Sequence, residues 1–150
     1  METLARGALA GLAATVPMTV VIGAGRAAGL VGTPPPIAIT ENVAEQAGED
    51  PDRQSPEFQA AWLAGHLGYG AACGVLFAAI RPVLPRSDLL AGLLFGGAIW
   101  GISYISLMPS LNLYPSAQDD SNQRQAVMIA AHAVFGTALA SFEHRLRAAT

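Results

Sequence analysis

The chain has 150 residues, 52 % of them hydrophobic and 13 % charged, on opposite sides of the soluble averages of about 45–50 % and about 25 %. Its eight basic residues are all Arg, set against 11 acids, and the resulting net charge of −3 excludes the basic face a nucleic-acid partner would need. A single cysteine, Cys73, excludes an internal disulfide, a CxxC redox pair and a multi-cysteine zinc site, and within its apolar run it reads as a small buried hydrophobe.

Four apolar runs reach the roughly 20 residues needed to cross about 30 Å of hydrocarbon, and none of them contains Asp, Glu, Lys or Arg. The first, Gly7 to Gly25, lies between Arg6 and Arg26 and contains Pro17. Its Arg-bearing start and the small residues from Gly23 to Ala28 also fit the outline of a cleaved signal peptide, but the run exceeds an ordinary signal core and shares in an internal repeat, so a retained helix is expected.

The long connection from about Ala27 to Pro56 opens on Gly32-Thr33-Pro34-Pro35-Pro36, read as a stiff extended entry. It continues into about two helical turns framed by Thr40 as N-cap and Gly48 as terminator. Ile39, Val43 and Ala47 share one face of that short helix, which is expected to lie at the outer interface or cap the bundle. The acids Glu49, Asp50 and Asp52 lack the loop spacing of a calcium site and read as a solvated loop.

The second run, Gln59 to Ile80, is preceded by Ser55-Pro56-Glu57, an N-cap, a first-turn proline and a first-turn acid. Ser87-Asp88 opens the third, Leu89 to Leu111, and Asp119, Asp120 and Ser121 precede the fourth, Gln125 to Phe142. His144, among Arg145 and Arg147 after the last run, reads as a complement to the helix C-terminus and to anionic lipid. With four spans the termini share a side with Arg6, Arg81, Arg86, Arg145 and Arg147, against Arg26, Arg53 and Arg124 opposite, which puts the termini in the cytoplasm. The fold class expected is an all-α, integral membrane four-helix bundle in one transmembrane domain.

The second and fourth runs carry the same string, H-x-x-[YF]-G-x-A, at His66 to Ala72 and His132 to Ala138, while the first and third share Ala10-Gly11-Leu12 and Ala91-Gly92-Leu93. The chain therefore reads as two repeated helical hairpins. Small residues four apart (Gly7 and Gly11, Gly70 and Gly74, Gly92 and Gly96, Gly97 and Gly101, Gly136 and Ala140) are suited to close helix packing, inside the chain or against a homodimer or another membrane-protein partner.

His66 and His132 each stand about seven residues, or roughly 10 Å, from the outer end of their spans. Counting to the same depth on the other two helices reaches Thr19 and Tyr104, with Ser103 and Ser106 close by, so His66, His132, Tyr104 and Thr19 are the candidate polar layer. Pro17 and Pro109 each remove a helix donor and free a carbonyl nearby. Three uses compete: neutral imidazoles pinning helices together, proton-linked sensing or transport, and a haem or metal held by His66 and His132. The first needs no cofactor. No phosphate loop, dinucleotide fingerprint or nucleophile with a nearby base is present, so an enzyme is not expected.

From His66 to His144 the chain resembles the YagU-like bacterial inner-membrane proteins, a family of uncharacterised function. The likeness rests on the H-x-x-[YF] helix, the turn Arg81-Pro82-Val83-Leu84-Pro85, the Ala-Gly-Leu-rich helix ending Leu107-Met108-Pro109, the loop Leu113-Tyr114-Pro115 and a last helix with its own histidine. It implies a bacterial inner-membrane setting and His66 and His132 as retained positions, and it lends no reaction; the role expected for the whole chain, in contact with the lipid bilayer, is that of an accessory or stress-related membrane component.

Overall fold

The structure, a computed structural model, describes residues 2–149. The described residues form five helices, joined by turns and short 3-10 segments: α1 (Thr3–Ala27), α2 (Pro35–Gln46), α3 (Pro56–Ile80), α4 (Asp88–Ser110) and α5 (Asn122–Ala148). All except α2 are long and apolar enough to cross a membrane. The apolar runs thus become helices, each taking in a flanking charged residue at its start.

The helix starts form where the serines predict. Ser55, Ser87 and Ser121 each accept a hydrogen bond from the backbone N–H three residues on, at 3.2, 3.3 and 3.2 Å, which satisfies one of the donors that every helix start leaves without a partner. The short connecting helix starts earlier than its sequence suggests. Pro34 is its N-cap and Pro35 and Pro36 form its first turn, so Thr40 is interior and donates to the Pro36 carbonyl rather than capping. The prolines serve as a helix start because their fixed φ suits the first turn, where no N–H is required. Gly48 does end it: at φ +84° it permits paired bonds from Gly48 N to Glu45 O and from Glu49 N to Ala44 O, a closure that needs the left-handed region glycine enters freely.

Between Ile102 and Leu107, α4 widens into a π-helical turn. The cause lies just downstream, since Pro109 lacks an N–H and its ring crowds the carbonyl four residues back, at Ile105. The widened turn carries Ser103 and Tyr104.

Packing follows the repeat. α1 lies between α3 and α5, and α4 packs on the far side of α5. Both hairpins close on equivalent glycines: a Cβ added to Gly11 would strike the Gly70 carbonyl, and one added to Gly92 would strike the Gly136 carbonyl. Gly7 meets Gly74, and Gly96 meets the His132 carbonyl, in the same manner. Backbone-to-backbone approach of this kind is how helices gain dispersion contacts when lipid offers no hydrophobic drive. Gly97 and Gly101 meet nothing and point away from the bundle. Accordingly the centre is built from small residues, with Ala10, Ala14, Ala91, Ala131 and Ala140 fully buried, while Leu9, Val16, Val20, Leu94 and Ile102 are exposed outside. That inversion suits a lipid surround.

One contact the repeat would produce is missing. If α1 corresponds to α4 and α3 to α5, then the close α1–α5 packing should have a counterpart between α3 and α4, but those two helices touch only sparsely. Near the chain termini they are joined by the short Arg81–Ser87 connection and by the Phe77 and Phe95 rings, edge to face at 5.2 Å. Toward α2 they part.

The terminal end is held by charge. Arg6 Nε donates to Glu143 Oε1 at 3.1 Å, and the two side chains are only 11 % and 2 % exposed. Asp88 accepts from Arg81 at 2.7 Å and pairs with His144 Nδ1 at 2.8 Å. His144 therefore joins the C-terminal part of α5 to the start of α4, a more specific place than the helix-end complement expected from sequence.

Candidate functional site

Where α3 and α4 part, the bundle encloses a cavity of about 450 Å³ at its α2 end. All four long helices line it: Thr15, Met18 and Ile22 from α1, Gly65, His66 and Tyr69 from α3, Ile99, Ser103 and Tyr104 from α4, Met128, His132 and Phe135 from α5. The short helix α2 covers the top with Pro35, Pro36, Ile39, Thr40 and Val43, so the expectation that it caps the bundle holds. The size falls within the usual range for small-molecule clefts, about 300–1,000 Å³, and among the described residues no charged side chain lines it.

Both histidines of the repeat border this one space. His66 Nε2 lies 3.1 Å from Thr19 Oγ1, and that hydroxyl also stands 2.8 Å from the Thr15 carbonyl. A carbonyl only accepts, so the single hydroxyl proton goes to Thr15 and His66 Nε2–H donates to Thr19, leaving Nδ1 bare. His132 Nδ1 is 2.8 Å from the Met128 carbonyl and must carry the proton, leaving Nε2 bare. Thr19 and His66 are thus brought together as the matched depths predict, with His132 across the cavity. A bis-histidine haem site would require His66 to release Thr19 if it bound through Nε2, and among the described residues no three His, Cys, Asp or Glu side chains cluster around a metal-sized point.

Tyr104 corrects the expected layer in part. Its ring borders the cavity, but its hydroxyl is directed to the Asp120 carboxylate in the loop before α5, and its ring packs on Trp100 and Tyr114 at 6.1 and 5.7 Å. The carbonyls expected to be freed by Pro17 and Pro109 take no bond from either imidazole; His66 uses a hydroxyl and His132 its own helix. Ser103 belongs to the opening instead: its hydroxyl and that of Tyr69 are 2.6 Å apart, a single bond across the α3–α4 seam. Tyr69 and Phe135 occupy equivalent positions of the repeated string. Phe135 is buried in the wall, whereas Tyr69, 41 % exposed, stands at the seam where a hydroxyl has a partner. Ser106 faces outward.

The roof is fastened from two sides. Asn42 Nδ2 donates to the Leu113 carbonyl at 2.8 Å and Gln46 Nε2 reaches the Leu111 and Asn112 carbonyls, both at 3.3 Å. Arg124 donates to the Thr33 carbonyl at 2.9 Å, pairs with Asp120 and lies over the Tyr114 ring at 5.8 Å. Tyr114 forms part of the cavity wall and is 6 % exposed, and its buried hydroxyl has no hydrogen-bond partner among the described residues. Burial raises its pKa above the ordinary phenol value, which keeps it a neutral donor. In the sequence this residue belongs to the loop Leu113-Tyr114-Pro115, which enters the family likeness but suggests no role for the hydroxyl.

On the other side Arg53 donates to both oxygens of Glu41 on α2. That hydrogen bond lowers the Glu41 pKa below its ordinary 4.5. A depressed carboxyl contributes stability above its unfolded pKa and loses it as pH falls through the folded one. Amide exchange on α2, corrected for intrinsic rate, should therefore quicken once pH drops below about 4.5, and Arg53→Ala should remove that acid dependence. The pair is exposed, so the effect is small and confined to the roof.

No curated protein and no solved structure matches the chain. Over residues 1–150 the sequence matches the family of unknown function DUF6789, and the chain belongs to that family.

Proposed function

We propose that this chain is a non-catalytic, multi-pass accessory protein of the bacterial inner membrane, with both termini in the cytoplasm, and that it holds a small lipid-soluble molecule in the outer half of the bilayer. One observation carries the reading: an uncharged cavity of about 450 Å³, lined by all four long helices, roofed by α2 and bordered on opposite helices by the two repeat histidines. A packed bundle with no ligand to hold would gain dispersion energy by closing that space. The Thr15 and Thr40 hydroxyls are engaged by their own helices, which supports binding rather than group transfer. The bias of Arg toward the terminal end supports the orientation, and the YagU-like course of the second half supports the bacterial inner-membrane setting.

Gly65 provides the test. It lines the cavity, and a Cβ built there meets nothing within 4 Å, so Gly65→Leu fills the space without straining the backbone and raises helix propensity. Native mass spectrometry of protein released from its own membranes should find wild type carrying a low-mass apolar adduct and Gly65→Leu depleted of it at least about tenfold, with unchanged thermal stability. Identical adduct patterns in the two proteins would contradict the reading.

A further inference from the structure

The polar groups around the cavity have an uneven hydrogen-bond balance. Thr15 and Thr40 donate to the Gly11 and Pro36 carbonyls, and Tyr104 donates to Asp120. Each imidazole has its one N–H engaged, His66 to Thr19 and His132 to Met128, so each retains one bare nitrogen that can only accept. Against these two acceptors stand the buried Tyr114 hydroxyl, a donor without a partner among the described residues, and the Tyr69–Ser103 pair, whose one bond uses only one of its two hydroxyl protons. A buried polar group with no partner costs about 1–3 kcal/mol and calls for an explanation by something that satisfies it.

Resting on the binding role proposed above, we infer that the ligand is a neutral lipid-soluble alcohol or phenol, whose hydroxyl donates to a bare imidazole nitrogen of His66 or His132 and accepts from Tyr114, while its apolar chain leaves between α3 and α4. A hydroxyl group both donates and accepts, as this set requires. A ketone, ether or ester only accepts and would leave the imidazoles without a partner. A carboxylate or ammonium would enter a space in which no side chain carries a compensating charge. The exit is set by the fold: α3 and α4 touch only sparsely, and among the described residues the Tyr69–Ser103 bond is the one polar link across their seam beside the cavity. Met18, Ile99 and Met128 along the interior suit an alkyl or prenyl chain, the methionines adapting to its shape.

The test compares para-dodecylphenol with its methyl ether, para-dodecylanisole, by equilibrium binding to the full chain in lipid nanodiscs, corrected for partition into empty discs. The phenol should bind about tenfold tighter or more, the ratio expected when one buried hydrogen bond is lost and its acceptor left unmatched. That ratio should fall toward one in His66→Phe, His132→Phe and Tyr114→Phe. These substitutions leave no donor orphaned: the Thr19 proton stays on Thr15, and the Met128 carbonyl keeps its helix bond. Equal binding of phenol and ether to wild type would overturn the hydroxyl inference while leaving the cavity reading standing. Binding of neither above the empty-disc level would overturn the cavity reading itself. A ratio that persists in all three variants would assign the discrimination to the bulk of the added methyl and overturn the hydrogen-bonding role; should any variant fail to fold, the wild-type comparison still decides against the inference if the two affinities coincide.

Discussion

Gly92→Leu is expected to part α4 from α5 and abolish the folded bundle, whereas Gly97→Leu, on the same helix, leaves it intact. The difference is one of facing. A Cβ at Gly92 would drive into the backbone of Gly136 and Thr137, and backbone cannot rotate aside as a side chain can. A Cβ at Gly97 meets nothing within 4 Å. Even Gly92→Ala should cost about 1–3 kcal/mol, the ordinary penalty for overpacking, with Leu well beyond that. Gly97→Leu should be neutral to slightly stabilising, because glycine is a poor helix former by about 0.8–1.0 kcal/mol. Unfolding in mixed micelles with added SDS, followed by tryptophan fluorescence, separates the cases. Similar losses at the two positions would mean that the hairpin is not closed by glycine contact.

The second large effect is expected at the terminal end. Arg6→Ala, or Glu143→Ala, should lower stability by about 3–5 kcal/mol, since each leaves a nearly buried charge without its partner. Arg6→Met combined with Glu143→Leu should recover most of that loss, because two ions leave the interior together and apolar volume replaces them. The same micelle titration read as a double-mutant cycle checks the pairing. If the single losses simply add in the double variant, Arg6 and Glu143 do not act as a pair. The Arg147 guanidinium lies 4.0 Å from the second Glu143 oxygen, so Arg6→Ala should be the milder single change, since it leaves Glu143 one cation, whereas Glu143→Ala removes the group two cations share.

These two sites differ in how far sequence could reach them. The glycine contacts were legible, because Gly11 and Gly92 recur in matching strings, as do Gly70 and Gly136, and a repeat implies that each pair meets in the same way. The serine caps were legible too, being local, and so was the equal depth of Thr19 and His66, which follows from helix rise alone. Arg6 and Glu143 stand next to two different runs, one before the first and one after the fourth. Their pairing depends on α1 lying against α5, a long-range choice that no local pattern encodes. Tyr104 was placed at its depth, but its partner was not legible, because the Asp119–Ser121 approach to α5 folds back over the π-helical turn and brings Asp120 to its hydroxyl. Thr40 misled because a threonine followed by Glu and Asn resembles a cap, while Pro34-Pro35-Pro36 was read as extended when two of those prolines begin the helix.

The cavity itself was not legible at all. It arises from a departure from the repeat, the parting of α3 and α4 where symmetry would have them pack, and the strings that reveal the repeat are blind to where it fails. Only the Tyr69/Phe135 difference hinted at it, since one copy carries a hydroxyl that needs a partner at the seam and the other does not.

The most direct measurement of the central claim is photolabelling in intact membranes with an uncharged, diazirine-bearing alkyl probe, with labelled residues mapped by peptide mass spectrometry. A ligand space between α3 and α4 predicts labels concentrated on the stretch around His66 and Tyr69, the stretch from Ile99 to Met108, and His132, with those labels lost in Gly65→Leu and those on Val16, Val20 and Leu94 unchanged. Labelling confined to the outward residues, with the cavity walls untouched in wild type, would contradict the claim.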